Sequence, residues 1–499
     1  MSVSDVINPV TLKELRQMVR SRLVAAGLIG FLSVAFIAVM IVLLSSRESL
    51  QQGVALAAQG LGKEVFHAVY FVLTVLLLFC APFYVGIRMA AERSGEHLDL
   101  QYTTILKPRQ FVDGKTAAAF ILILLFAGAA LPFLSLSYLL RGLDVFQALL
   151  ATLMLICVAV CCVYEGLFLA AASTSRVFRV IILLHALGFH ASLVGMVNAG
   201  GAAMVSFGSR LSFATWSDWV WPGLFVAGCV SACLLLRAAI TALIMPPPAN
   251  RAPPVRFWFT GVWLAWGGIA GAAAWLDTEL DYVYAWSIVS ICVTAVLSGV
   301  SASFAPGYSR RVLGEISRHR LTRMRQFLFF SGAENGMIWA LLPGALSVGI
   351  VILCENSGLP WCKAGADMNA GRLAGFLFYL IAYVWSVRAL WQFGLHRWVT
   401  YRLAGVVAVV LIILGWALPA LVALGDVQTG RDAAWLFGNV FAVFSEKQPE
   451  IAPLTLGAGL WAAMAVAANL PGLSAALLRF APRTADASAK TPPPLAPGA

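Results

Sequence analysis

The chain has 499 residues, of which 61% are hydrophobic and only 11% are charged, and its formal net charge is +11. A soluble protein carries about 25% charged residues, so this composition excludes an ordinary soluble domain. Lipid cannot hydrogen-bond to exposed backbone, so membrane-crossing segments are helices or closed barrels, and barrel strands would be shorter and alternating. The apolar runs here do not alternate. The sequence therefore predicts an all-α, polytopic integral membrane protein.

Apolar runs of about 18 residues or more can cross a bilayer core as helices, and the sequence has about 12 such runs. The first run is followed by SSRESLQQG, which offers no small-x-small cleavage site. We therefore expect a retained helix rather than a signal peptide. In chain order, the runs occupy residues 23–44, 65–87, 117–140, 145–171, 180–197, 219–236, 257–275, 282–300, 337–354, 373–390, 403–424 and 454–470.

A short amphipathic helix is predicted before the first run. Asn8 can cap this helix, with Pro9 at its first helical position. One face is polar and carries Lys13, Arg16, Gln17 and Arg20. The opposite face is apolar and carries Leu12, Leu15, Met18 and Val19. Such a helix either lies in the headgroup layer with its bases toward anionic lipid or serves only as a basic anchor for the first span.

Residues 88–115 form a charged segment between the second and third runs. Four apolar residues at helical spacing predict a short amphipathic helix there: Leu98, Tyr102, Ile105 and Leu106. Lys107 ends this helix, because the residue before a proline is pushed out of the α region, and Pro108 begins the next one. A helix held between two spans can pass a push from a soluble partner to both of them. A solvated connecting loop is the alternative.

The same segment carries the pattern E-R-x-G, then L-D-L, then P-R-Q-F-V-x-G-K. The residues are Glu92, Arg93, Gly95, Leu98, Asp99, Leu100, Pro108, Arg109, Gln110, Phe111, Val112, Gly114 and Lys115. This pattern resembles the inner-loop signature of permease subunits of ABC-2-type transporters, and the opening NPVTLKELRQMVRSR is similar to the start of that family. The resemblance implies that the segment forms a coupling helix docked on a separate ATP-binding subunit. It also implies that ATP and Mg²⁺ bind to that partner.

The chain itself offers no nucleotide site and no catalytic cluster. The P-loop pattern G-x-x-x-x-G-K-[ST] is approached only at Gly114-Lys115-Thr116, where Arg109 stands in place of the first glycine. We therefore expect a transport subunit that is not an enzyme and holds no cofactor. The pair Cys161-Cys162 has no histidine at metal-ligand spacing, so no metal site is expected either.

The Pro-rich stretch PPPANRAPPVR, residues 246–256, predicts a cytoplasmic linker between two halves. The first half is residues 1–245 and the second is residues 257–480. Each half follows its second span with a charged segment, residues 88–115 and 309–325, which suggests a duplicated six-span unit. Residues 481–499 lack apolar periodicity and predict a disordered cytoplasmic tail.

Two carboxylates are candidate pathway residues, because an ionisable group in a membrane span is costly. Glu165 lies within the fourth run and Glu334 lies at the mouth of the ninth. Glu165 suits a cationic substrate or a proton relay, but a neutral acid hydrogen-bonded between helices explains it equally well. Other polar residues are expected near the span ends or to reach the inner surface: His67, His185, His190, Arg237 and Arg388. Cys354 and Cys362 are predicted on the outer side, as a disulfide or as two free thiols.

Most of the 34 Lys and Arg residues fall in alternate loops, on the side that also holds the N-terminus. The positive-inside rule then predicts both termini in the cytoplasm of a bacterial inner membrane, and the charge does not indicate nucleic-acid binding. The resemblance implies an ABC-2 permease subunit, an exporter, whose partners are expected to be an ATP-binding subunit, lipid, and a second copy or another membrane subunit. The alternative is a secondary transporter driven by an ion gradient, with Glu165 as its coupling carboxylate.

Overall fold

A computed structural model describes residues 8–46, 55–93, 107–140, 143–172, 176–207, 216–246, 248–277, 279–304, 307–358, 368–398, 400–425, 437–445 and 448–482. The structure is 89% helical, and these residues contain no strand. They include 12 helices that are long and apolar enough to cross a membrane. The chain is therefore an all-α polytopic membrane protein, as the sequence predicts.

The chain divides into two compact units, Met1–Pro246 and Pro247–Ala499. The described helices of the first unit are α1 (Pro9–Val19), α2 (Arg22–Ser45), α3 (Ala55–Val75), α4 (Ala81–Arg93), α5 (Pro108–Leu139), α6 (Val145–Ala172), α7 (Arg176–Phe207) and α8 (Trp216–Ile244). The second span consists of α3 and α4, which are joined by a single π-helical turn, Leu76–Cys80.

The described residues of the second unit contain six more spans and three shorter α-helices. Its spans are α9 (Ala252–Asp277), α10 (Asp281–Ala302), α13 (Ala333–Asn356), α14 (Ala370–Phe393), α15 (Ala404–Gly425) and α17 (Gln448–Arg479). Its shorter helices are α11 (Arg310–Gly314), α12 (Arg320–Phe329) and α16 (Ala442–Ser445).

Local chemistry sets the ends of several helices. The Asn8 side chain accepts a hydrogen bond from the Val10 amide at 3.0 Å, and Pro9 occupies the first turn of α1, as predicted. Lys107 is extended (φ −71°, ψ 143°) and α5 begins at Pro108, which also agrees with the prediction. Proline is favoured at a helix start because its missing amide hydrogen would have no partner there.

The same rule explains a boundary that the sequence reading placed wrongly. The predicted linker extended to residue 256, but α9 begins at Ala252. Residues 252–256 of the predicted linker therefore belong to the helix. Pro253 and Pro254 lie in the first turn of α9, where helices tolerate proline. The fifth predicted run ended at residue 197, whereas α7 continues to Phe207.

The six spans of each unit pack in one shared pattern. In both units, the second span packs against the first, third, fourth and fifth. The fourth span packs against the third, fifth and sixth, and the third also contacts the sixth. A repeated six-helix unit would produce this pattern.

The apolar surface is distributed as a bilayer requires. Large apolar side chains such as Phe36, Ile37 and Ile41 on α2 are more than half exposed. In contrast, α14 has 72% of its central residues buried inside the second unit. Exposed apolar area on this scale is unusual for a soluble protein and is normal for a helix that faces lipid.

Candidate functional site

The N-terminal helix α1 packs on the start of α5 rather than lying free on a membrane surface. Asn8 Nδ2 donates a 2.6 Å hydrogen bond to the Gln110 carbonyl oxygen. Gly114 allows the two helices to approach, because a Cβ atom there would lie 2.6 Å from the Val10 Cβ and 3.1 Å from the Thr11 amide nitrogen. The glycine is therefore needed for the close contact between α1 and α5.

A buried group of charges completes this contact. Lys115 Nζ lies 2.6 Å from Glu14 Oε1 and 2.8 Å from Glu92 Oε2. The Lys115 and Glu14 side chains are only 2% and 4% exposed. Because an unpaired buried charge is very unfavourable, such groups persist only when they are paired and hydrogen-bonded. Lys115 on α5 therefore holds α1 and α4 at once.

Two further cations extend the group toward solvent. Lys13 Nζ lies 3.2 Å from Glu92 Oε1, and Arg88 Nη2 lies 3.3 Å from Glu14 Oε2 and also donates to the Gln17 side chain. We call the five charged residues the Lys115 cluster: Lys13, Glu14, Arg88, Glu92 and Lys115. The cluster joins the helix before the first span, the end of the second span and the start of the third.

The docked face of α1 differs from the predicted one. Its buried residues are Val10, Thr11, Glu14 and Met18. Val19, which the sequence reading assigned to the apolar face, is 86% exposed. The difference arises because α1 meets a protein surface that offers a lysine, so a glutamate belongs to the buried face. Of the three predicted interface bases, Lys13 pairs with Glu92, while Arg16 and Arg20 are exposed.

The structure places the predicted coupling residues in different surroundings. Glu92, Gly114 and Lys115 make contacts within the chain, and the burial of Lys115 keeps its ammonium from reaching a partner in this structure. Pro108 and Arg109 begin α5, where Arg109 is exposed. The backbone of Arg93 ends α4. Other predicted elements lie outside the described residues: the Arg93 side chain, Gly95, Leu98, Asp99, Leu100 and the amphipathic helix through residue 106.

Arg237 attaches α8 to the same end of α5. Its Nε and Nη2 atoms lie 2.5 and 2.6 Å from the two carboxylate oxygens of Asp113. A two-pronged pair with a carboxylate holds its planar guanidinium at this end of α5. That Arg237 lies at the inner surface stays a prediction. This pair is half-exposed, in contrast to the buried Lys115–Glu14 pair.

In the second unit, hydrogen bonds connect the segment around the start of the first span to the loop that follows the second span. The Asn250 Oδ1 atom accepts hydrogen bonds from the amide and hydroxyl of Ser331, at 2.9 and 3.0 Å. Arg256 on α9 is buried and donates to the Leu328 and Phe330 carbonyls at 2.6 and 2.7 Å. These carbonyls lie at the C-terminal end of α12, where a cation is favoured by the helix dipole.

Glu334, a predicted pathway residue, forms an ion pair with a buried arginine. It lies in the first turn of α13, and its Oε1 atom is 2.6 Å from Arg388 Nη2 on α14. The Arg388 side chain is only 1% exposed and lies over the Trp391 ring. The prediction that Arg388 reaches the inner surface is wrong, because a carboxylate on a neighbouring helix satisfies its charge inside the unit.

Glu165, the other predicted pathway residue, lies beside a histidine. Its Oε2 atom is 3.8 Å from His190 Nε2, and the Cys162 thiol lies close to both. His190 is 1% exposed and packs against the rings of Phe79 and Phe83 in the middle of α7. The sequence predicted His190 near a span end, but the structure places it in the middle of α7. His185 on the same helix is exposed.

The cysteines of the first unit cluster between helices. Cys161 Sγ on α6 lies 3.5 Å from Cys233 Sγ on α8, and it donates to the Cys229 carbonyl at 3.4 Å. The two alternatives for Cys354 and Cys362, a disulfide or two free thiols, are not tested, because Cys362 is outside the described residues.

Sequence reasoning missed Glu14, Arg88, Arg256 and the place of His190. For Glu14 a signal existed, since Val10, Glu14 and Met18 share a helical face in which the glutamate interrupts two apolar residues. For His190 there was none, because Glu165 and Cys162 belong to a different helix.

No protein-family model, no curated protein and no solved structure matches the chain.

Proposed function

We propose that the chain is the transmembrane permease subunit of an ABC-2-type transporter, an exporter driven by a separate ATP-binding subunit. Two observations support this proposal. The residues from Glu92 to Lys115 carry the pattern of the coupling segment of that family, and the charged ends of this segment are fixed firmly to the spans. ATP and Mg²⁺ belong to the partner, and this chain performs no catalysis.

The Lys115 cluster is the observation that carries the proposal. A push on residues 94–106 reaches α4 at one end and α5 at the other. Because Lys115 ties α5 to both α4 and α1, and Asp113 ties α5 to α8, these helices would move together rather than bend separately. Two discrete arrangements of packed helices are the usual way in which a local push becomes a large change. In the partner, ATP binding would close the dimer and supply that push.

The distribution of cations supports the orientation that this mechanism needs. Lys107 and Arg109 are exposed at the start of α5, and Arg16 and Arg20 are exposed on the docked α1. In the proposed orientation this end faces the cytoplasm of a bacterial inner membrane, together with both termini. Arg16 and Arg20 would then lie near anionic lipid headgroups, where each cation adds about 1 kcal/mol of attraction.

Co-purification tests the proposal. The chain is expressed in its native host with an affinity tag, extracted in mild detergent, and analysed for a bound protein that carries Walker motifs and hydrolyses ATP. Arg109→Glu should reduce the bound ATPase by about tenfold or more, because a reversed charge at a docking surface is repulsive. Arg397→Glu, an equally exposed reversal in the second unit, is the matched control. Recovery of the wild-type chain without any ATPase would contradict the proposal.

A second candidate function is favoured by Glu165. Its carboxylate lies within the unit next to His190, as a proton-coupling group in a secondary transporter would. Transport that collapses with the ion gradient and is lost in Glu165→Gln, with no ATPase bound, would favour this candidate. Transport that persists without a gradient would exclude it.

A further inference from the structure

We propose that Cys162, Glu165 and His190 form a binding site for a divalent transition-metal cation of the zinc class within the first unit. Cys162 and Glu165 lie on α6, three residues apart, and His190 lies on the neighbouring α7. A thiolate, a carboxylate and an imidazole are the three side-chain types that bind Zn²⁺ in proteins. The proposal does not depend on what energises transport.

The three ligand atoms are already close to one another. The Cys162 sulfur, a carboxylate oxygen of Glu165 and a ring nitrogen of His190 all lie within 4.8 Å of each other. Zinc bonds of about 2.0–2.3 Å in a tetrahedron place neighbouring ligand atoms about 3.3–3.6 Å apart. The 3.8 Å between Glu165 Oε2 and His190 Nε2 is longer than a hydrogen bond and close to this spacing. Small side-chain movements would therefore bring the three atoms around one ion.

The tautomer of His190 suits a metal ligand. Its Nδ1 atom lies 2.7 Å from the Ala186 carbonyl oxygen, and a carbonyl can only accept a hydrogen bond. Nδ1 of the neutral ring therefore carries the hydrogen, and Nε2 carries a lone pair. Among the described residues, Nε2 has no hydrogen-bond partner although it is buried. A bond from Nδ1–H to a backbone carbonyl commonly orients a histidine whose other nitrogen binds a metal.

Charge balance also favours a dication. Within the described part of the chain, no group donates a hydrogen bond to the Glu165 carboxylate, and the His190 nitrogen 3.8 Å away carries a lone pair rather than a hydrogen. An ionised carboxylate in this place needs a compensating positive charge. A divalent cation with the Glu165 carboxylate and the Cys162 thiolate would make a neutral site. The thiol proton of Cys162 would leave to solvent when the metal binds.

Two aromatic rings exclude water from one side of the site, and a cavity between the helices offers access on another side. The rings of Phe79 and Phe83 lie 5.8 and 5.5 Å from the His190 ring. A cavity of about 220 Å³ between α4, α6 and α7 is lined by His190 and by Gly166, the residue after Glu165. An ion and a completing ligand such as water could therefore reach the site from between the helices. Phe79, one of the two rings beside His190, belongs to the π-helical turn Leu76–Cys80 of the second span.

Cobalt binding tests the proposal, because Co²⁺ enters zinc sites and a thiolate bound to it absorbs light by charge transfer. The purified full-length chain in detergent is titrated with Co²⁺ and then with competing Zn²⁺. We expect one site with a thiolate absorption band that Zn²⁺ removes. His190→Ala and Glu165→Gln should weaken binding by at least about tenfold, and Cys162→Ser should abolish the thiolate band.

Two matched controls identify the site. His185→Ala removes an exposed histidine of the same helix, and Cys161→Ser removes the neighbouring thiol that faces Cys233. Both should leave the titration unchanged. If Cys162→Ser protein aggregates, the wild-type chain still gives an answer, since Zn²⁺ should slow alkylation of Cys162 more than that of Cys161. The proposal is overturned if the wild-type chain binds no metal, or if Cys161→Ser rather than Cys162→Ser removes the band.

Discussion

Lys115 lies at the start of a transmembrane helix, yet its ammonium group is buried between carboxylates from two other helices. The sequence pattern identified this residue as important but assigned it to a partner surface. Its main counter-ion, Glu14, is 101 residues away in the chain. No local pattern could reveal that pairing, because spacing along one helix says nothing about which distant side chain faces it.

Lys115→Met should destabilise the chain strongly. Removing one partner of a buried ion pair costs about 3–5 kcal/mol, because the remaining charges stay buried without compensation. Thermal unfolding in detergent measures the loss as a lower Tm. Lys13→Met is the control, since Lys13 is largely exposed and an exposed pair contributes about 0–1 kcal/mol. Equal melting temperatures for the two variants would refute the role of Lys115.

Gly114→Ala should separate α1 from α5. The added Cβ would lie 2.6 Å from the Val10 Cβ, and close-packed helices cannot absorb such an overlap without moving. Faster hydrogen exchange of the α1 amides measures the separation. Gly128→Ala lies on the same helix with nothing within 4 Å of the new Cβ, so its α1 exchange should match that of wild type. Unchanged exchange in Gly114→Ala would show that the contact is looser than the structure indicates.

The residues at which helices begin could be predicted from the sequence better than the surfaces against which those helices pack. The starts of α1 and α5 follow from Asn8-Pro9 and Lys107-Pro108, because the responsible residues are neighbours in the chain. The surface on which α1 docks is formed by residues about a hundred positions later, so its buried face was assigned wrongly. The buried Arg256 was missed for the same reason, since the carbonyls that it binds belong to the end of α12.

Arg256→Gln should loosen the connection between α9 and the end of α12. The shorter, neutral side chain cannot reach the carbonyls of both Leu328 and Phe330, and buried carbonyls without partners cost about 1–3 kcal/mol. Limited proteolysis should then cut within residues 309–332 several times faster than in wild type. Arg325→Gln removes an exposed arginine of α12 and should be cut at the wild-type rate. Equal rates for both variants would count against the docking role of Arg256.

At the scale of the whole molecule, hydropathy predicts the membrane spans but not which of them are buried in the protein. All twelve spans could be predicted from apolar runs, because a bilayer demands length and low polarity. Apolar content does not tell a lipid-facing helix from a buried one: α14 has 72% of its central residues buried and α2 only 17%. The sequence suggested a duplicated six-span unit, but hydropathy does not identify which spans pack together, so the individual contacts shared by the two units could not be predicted.

The most direct test of the account asks which side of the membrane holds the charged end of α5. Lys107→Cys and Glu279→Cys are each treated with a membrane-impermeant thiol reagent in inside-out and right-side-out vesicles, with the wild-type chain as background. Both positions are exposed. We predict that Lys107→Cys reacts only in inside-out vesicles, where a cytoplasmic ATPase would meet it, and that Glu279→Cys reacts only in right-side-out vesicles. Labelling of Lys107→Cys from the outer side, or from neither side, would contradict the proposed coupling.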